Sequence, residues 1–273
     1  MVDIDAAMGF VVAKGDPVDR ARLSWLRAGI MPDESVLTDA EYGQTVSGGW
    51  PAFWADHVAS VDATCFRLAE LDDLGSINRP AARRAIDWLA ARQAPDGTWE
   101  EDPFLADVAP LWAKPGDPEA RLYLTASAAF WLTVSGLQAR ANGPLDARAG
   151  GLHSGGVAKA AQAIAASLNS DGSWPSFLVT GWLGAAVLYR QEMFYEAAQM
   201  QIILGDRLPE MSSADTAWLA ASLRRVGVSG DDWLLVAARR RLAETQRSDG
   251  GWPSDDGEQF DVHVTLTAIR ACR

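Results

Sequence analysis

The chain has 273 residues, 48% of them apolar, enough for one large domain or two small ones and for a sizeable buried core. Its 24 basic residues against 36 acidic ones leave a net charge of -12, which repels nucleic acid and anionic membranes and argues against a polyanionic partner without metal ions. The longest apolar stretch, FLVTGWLGAAVLY, is shorter than the roughly 18 residues a membrane span requires, and two cysteines do not make a disulfide framework.

The N-terminal MVDIDAAMGFVVAKGD carries acids where a signal peptide needs basic residues, so a cytosolic protein is expected. An amphipathic helical segment runs from about Asp19 and is followed by QTVSGGW at Gln44 to Trp50. The same seven-residue pattern, QxxDGxW, is intact in QAPDGTW at Gln93 to Trp99 and in QRSDGGW at Gln246 to Trp252. It is weakened in LNSDGSW at Leu168 to Trp174. Further amphipathic segments start near Pro80, Gly156, Met193 and Asp232. In the first of these, Ala82, Ala85, Ile86 and Leu89 share one face, while Arg83, Arg84 and Asp87 take the other.

Alternating with these are VDATCFRLAELDDLG, LYLTASAAFWLTVSGL, FLVTGWLGAAVLY, ADTAWLAASLRRVGV and FDVHVTLTAIRAC, small or apolar nearly all round. One-faced helices belong outside and all-apolar helices inside, so the repeating unit is outer helix, word, inner helix. Within the word, Gly suits the left-handed turn that ends a helix, Asp favours the turn, and Trp buries a large ring.

A QxxDGxW word repeated between outer and inner helices resembles the QW repeat of terpenoid cyclases and protein prenyltransferase β subunits. The resemblance covers residues 19 to 273. It implies an all-α fold, an α/α toroid of five to six outer/inner helix pairs forming a single domain over 1–273, with the active cavity inside the ring. Functional groups of that family cluster where inner helices begin, which here singles out Asp62, Asp215 and Asp261. Each of these also suits helix capping.

The resemblance supplies specific chemistry to look for. Proton-initiated cyclases of the family use a DxDD word whose central acid protonates an alkene or epoxide. Aligned on the last acid, the three inner starts read Ser212 to Asp215, Ala59 to Asp62 and Glu258 to Asp261, with Ala214, Val61 and Phe260 in the donor's place. The usual word is absent, and Glu258 or another acid would have to substitute. The prenyltransferase zinc ligands are displaced too: Asp62 and Cys65 are three apart, and Asp261 and His263 two apart. One residue of slip turns a helical side chain by about 100°, so zinc is not expected. Asp72 and Asp73 lack the third carboxylate of a diphosphate-ionising word, so magnesium enters only if the substrate is a diphosphate. No cofactor is expected.

The remaining expectations concern lining and lid. Trp54, Trp112, Tyr123, Trp131, Trp182, Trp218 and Phe260, with Phe53 and Phe130, lie on or just before inner segments; each either packs the core or lines a cavity for a hydrophobic substrate. His263 beside Asp261, and His153 in AGGLHSGG, are candidate proton carriers, the latter also a candidate for backbone hydrogen bonding, and His57 for a loop cap. Residues 100–122 interrupt the repeat with extra acids and prolines, with Lys114 and Arg121 as their cations, and are read as a lid or mouth loop. Two functions of different class compete with a cyclase-like enzyme: a lipophilic-ligand carrier, and a protein-interaction scaffold.

Overall fold

The structure is a computed structural model that describes residues 1–55, 57–142 and 153–273, with the backbone alone for 140–142. Among these the chain is all-α, as the periodicity predicts. Twelve α-helices accompany one antiparallel pair of two-residue strands, β1 (Trp50–Pro51) and β2 (Ala59–Ser60), with Trp50 opposite Ser60. The helices are α1 (Ile4–Lys14), α2 (Pro17–Ala28), α3 (Glu34–Glu41), α4 (Val61–Asp73), α5 (Pro80–Ala91) and α6 (Pro118–Asn142), then α7 (Ser154–Ser167), α8 (Leu178–Arg190), α9 (Phe194–Arg207), α10 (Ser213–Arg225), α11 (Trp233–Thr245) and α12 (Asp261–Cys272).

The helices group into two compact units. One comprises Met1–Val36, Asp73–Gly75 and Gln201–Arg273; the other comprises Leu37–Asp72 and Ser76–Met200. In the first, α12 packs against α10, α1 and α2, and α10 also packs against α11. In the second, α6 packs against α8, α7 and α5.

Each word is a strap between helices. Its Trp ring is buried, and in three copies the indole N–H donates to a carbonyl at the end of the preceding outer helix: Trp50 to Tyr42 at 3.2 Å, Trp99 to Leu89 at 2.7 Å, and Trp252 to Leu242 at 2.8 Å. The word's Gln reaches forward to the next outer helix. The Gln44 amide donates to the carbonyls of Gly48 and Ala81, Gln93 to those of Gly97 and Gly156, and Gln246 to those of Gly250 and Asp3. The Gly must be Gly: at Gly97, φ is +89° and a Cβ would stand 2.6 Å from the Lys159 carbonyl oxygen. In the weakened copy, Leu168 replaces Gln, yet Gly172 still lies against Gln199 of α9.

This strap corrects the reading of the N-terminus. The last word grips Asp3, at the N-cap of α1, as the second word grips Gly156 in the first turn of α7, so α1 belongs to the outer series. The segment from Asp19, read above as outer, forms α2 and packs on inner helix α12; α3 is the helix that directly precedes the first word. Alternating amphipathicity misplaces α2 because it buries Asp19 and Arg22 as an ion pair, with a 3.6 Å separation, and so looks more polar than an inner helix should.

Candidate active site

Inner helices carry a shared register mark. Thr64, Thr125, Thr216 and Thr265 each bond the carbonyl four residues back, at Ser60, Arg121, Ser212 and Asp261. Three of these hydroxyls also accept a word's Trp main-chain N–H: Trp50 on Thr64, Trp99 on Thr125 and Trp252 on Thr265. The Thr therefore locks inner helix to word and sets which way each helix turns. Two residues before it stand Asp62, Tyr123, Ala214 and His263.

That register corrects the alignment made on the last acid. Asp62 lies two residues before its Thr, Asp215 one and Asp261 four, so they project in different directions at about 100° per residue. With α4 and α10 matched on their Thr, the stretch equivalent to Ser212–Asp215 is Ser60 to Ala63. The central place, held by Ala214 in α10, is held in α4 by Asp62 rather than Val61, and in α12 by His263 rather than Phe260.

Asp62 sits in a nest of donors. Its Oδ1 accepts the Tyr123 hydroxyl at 2.9 Å and its Oδ2 accepts the Trp112 indole N–H at 3.1 Å. Burial raises its pKa above the ordinary carboxylate value, against the opposing pull of those two hydrogen bonds. Burial, and then the Asp62 charge, push the Tyr123 hydroxyl well up, so it remains a donor. Tyr123 is itself braced edge-on by Phe177, with ring centroids 6.1 Å apart.

Beneath Asp62 is an acid that sequence reasoning counted only as part of the acidic insertion. Glu101 is 2% exposed, and its carboxylate accepts the Ser60 hydroxyl at 2.7 Å and the main-chain N–H groups of Val61 and Asp62 at 2.9 Å each. It caps α4 from 40 residues away, satisfying orphan donors of the first turn. Burial raises its pKa, and the neighbouring Asp62 charge adds to that rise. Cys65, one turn on, is buried beside Ser127, and desolvation drives its thiol far above the thiolate range. Its thiol bonds Ser127, whereas the Asp62 carboxylate is held by Tyr123 and Trp112. Among the described residues no three His, Cys, Asp or Glu side chains are grouped to hold a metal.

One turn beyond Asp62 on the same face is Phe66, 63% exposed although α4 otherwise buries Val61, Cys65, Leu68 and Leu71. Trp218 occupies the matching place on α10 and is 41% exposed. The insertion that supplies Trp112 is folded rather than open. It forms short 3-10 turns at Pro103–Leu105 and Leu111–Ala113, anchored by buried Leu105 and Ala113, and α6 begins at Pro118, inside the 100–122 interval. Arg121 ties its end to Asp96 and Glu100, whereas Lys114 is exposed.

The other candidates are employed elsewhere. The buried Asp261 carboxylate binds Arg247 at 2.7 Å and the Ser254 main-chain N–H at 2.8 Å, holding the loop after the last word. Those contacts tie Asp261 into the strap and its following loop. Asp215 is half-buried, its N–H capped by Ser212, with its pKa raised by desolvation and then by Asp255. His263 is exposed, its Nδ1 2.7 Å from the Arg22 guanidinium, so in the neutral ring the proton belongs on Nε2. Phe260, 43% exposed, stands 6.1 Å from the His263 ring. Trp131 and Trp182 are buried in the core, and Phe130 packs edge-on against Trp131. Trp54 is half-buried and Phe53 exposed in the loop between β1 and β2, where His57 takes a positive φ. His153 bonds the Asp87 carboxylate at 3.1 Å rather than backbone; residues 149–152 of AGGLHSGG lie outside the described residues.

No protein-family model and no curated protein sequence matches this chain. Solved structures do. A protein from Actinoplanes is similar over 99% of this chain and 97% of its own, at 16% identity and a TM-score of 0.61. Type II terpene cyclase MstE from Scytonema matches over 98% of this chain and 96% of its own, at 15% identity and a TM-score of 0.57. An MstE variant in complex with geranylgeranyl dihydroxybenzoate, its substrate, matches over 98% and 95% at 15% identity and a TM-score of 0.55. The fold is terpenoid-cyclase-like. At these identities the likeness speaks for the all-α, toroid-class architecture and not for the chemistry. Among the described residues no helix is long and apolar enough to cross a membrane.

Proposed function

We propose that the protein is a terpenoid-cyclase-like enzyme acting on an isoprenoid or other polyene-bearing hydrophobic substrate, with Asp62 as its Brønsted acid. The observation that carries this reading is a desolvated carboxyl with raised pKa, held by Tyr123 two residues before the Thr64 register mark and followed one turn later by the exposed ring of Phe66.

A carboxyl that keeps its proton to higher pH is available as an acid when its neighbours do not ionise it. The alkene π bond takes the Asp62 proton, the O–H bond electrons stay on the carboxylate, and positive charge forms at the more substituted carbon. An internal double bond attacks that carbon and closes a ring; the final cation loses a proton to water, and the Asp62 carboxylate regains one from solvent. The Tyr123 hydroxyl, already donating to Oδ1, stabilises the carboxylate left behind. Phe66 offers a π face about one helical turn, roughly 5 Å, from the acid.

The test is incubation with prenyl diphosphates and with neutral polyprenylated phenols, products being read by mass spectrometry. Isomeric cyclic products that disappear in Asp62→Asn support the reading. No product from either class, with unchanged thermal stability on adding them, overturns it.

A lipophilic-ligand carrier is the second reading, favoured by one observation: Ala214 stands at the donor's place in α10. It requires binding without conversion, and binding that Asp62→Asn leaves intact.

A further inference from the structure

Asp62 is held by two donors of different kind. Tyr123 comes from within α6, is partly buried and can rotate its hydroxyl to accept as well as donate. Trp112 comes from a three-residue 3-10 turn between Pro110 and Lys114, is 43% exposed, and makes its hydrogen bond to Oδ2 on the exposed side of the site. An indole N–H donates only. While docked it therefore favours the carboxylate over the carboxylic acid, the opposite of what proton donation needs.

The turn is built to stand out from the fold. Ala113 and Leu105 anchor it, while Phe104, Val108 and Leu111 present exposed apolar side chains around Trp112. Among the described residues, the titratable groups that act on or with Asp62 are Glu101 from the start of this same insertion, Cys65 from α4 and Tyr123 from α6. Those three stand on buried or helical backbone, which leaves Trp112 as the exposed, loop-borne partner.

We propose that Trp112 is a positioning residue that gates the acid: docked on Oδ2 it keeps Asp62 an acceptor, and its displacement by an entering hydrophobic substrate leaves Asp62 the proton donor. Oδ2 is then the oxygen that delivers the proton, since Oδ1 stays with Tyr123. This rests on the reading of Asp62 as the acid, and its test does not depend on turnover.

Carboxyl protonation is followed by pH-difference infrared spectroscopy on the whole protein, and the Asp62 signal is assigned by its loss in Asp62→Asn. In Trp112→Phe, which keeps the ring and removes the N–H, the Asp62 titration should move up by about half a pH unit or more, the scale of losing one hydrogen bond to a charged group at a half-exposed site. Leu111→Ala on the same turn should leave it unmoved, since it loosens the turn without removing the donor. A titration that stays put in Trp112→Phe, or moves equally in Leu111→Ala, overturns the gate. If the titration moves as stated but no polyene substrate is turned over, control of the Asp62 carboxyl by Trp112 stands and the cyclase reading fails.

Discussion

The Glu101 carboxylate accepts the main-chain N–H of Asp62 at 2.9 Å, so one acid fixes the helical turn from which the other projects. The same carboxylate holds Ser60 and Val61, making the first turn of α4 depend on a residue that follows α5 and the second word. Positioning and chemistry are thereby separable by mutation.

Glu101→Ala should leave a buried hydroxyl and two main-chain N–H groups without their acceptor. A loss of about 2–3 kcal/mol is expected, part of the unsatisfied-donor cost being offset by no longer burying a carboxylate. Chemical denaturation measures it, and a loss below about 0.5 kcal/mol would show that the cap is unimportant.

Asp62→Asn should behave in the opposite way, costing little stability at neutral pH while abolishing any product. The sign follows from its raised pKa: the folded state holds the proton more tightly than the unfolded chain does, with its ordinary value of 3.8. The stabilisation this provides is complete below that value and is lost as pH rises through the folded pKa. Unfolding midpoints of wild type relative to Asp62→Asn should therefore fall as pH rises above the ordinary value of 3.8 and through the folded one, and a rise would contradict the shift.

Asp261→Asn should resemble neither. Its carboxylate, on a residue 5% exposed, pairs with the Arg247 side chain, 34% exposed, and with the Ser254 N–H, so a loss of about 1–2 kcal/mol is expected from a partly solvated pair broken on one side. Activity measured well below the melting transition should persist, which separates a structural acid from the proton donor.

Leu168→Gln repairs the weakened word. In the other copies the Gln amide reaches a carbonyl three residues before the one against which the word's Gly packs: Ala81 before Arg84, Gly156 before Lys159, Asp3 before Ala6. With Gly172 on Gln199, the matching acceptor is the Glu196 carbonyl. A gain of about 0.5–1 kcal/mol is expected, read as a rise of a few degrees in melting temperature.

Gly250→Ala should do the reverse to the last word. Gly250 has φ +91° and a Cβ there would overlap the Ala6 carbonyl, so α1 must shift away from the strap. A loss of about 2–4 kcal/mol is expected, with faster amide exchange in Ile4–Lys14 than in α12.

Composition and periodicity are enough to determine that this chain is all-α, that outer and inner helices alternate, and that a QxxDGxW word joins them. Those are local properties: an apolar stripe, an all-round apolar segment, a glycine where the chain turns. Asp62, Tyr123 and Trp112 were also legible as residue types near inner-helix starts. What local pattern cannot supply is rotation. Three aspartates at three helix starts look equivalent until the Thr64, Thr216 and Thr265 hydroxyls establish the register, because a single residue of offset turns a side chain by about 100°. Nor can it supply partners remote in sequence. Trp112 meets Asp62 across 50 residues and Glu101 meets the α4 terminus across about 40, contacts that exist only once α4, α6 and the insertion between them have packed. Tertiary structure therefore decides which acid is desolvated, which is tied into an ion pair and which indole donates to the desolvated one.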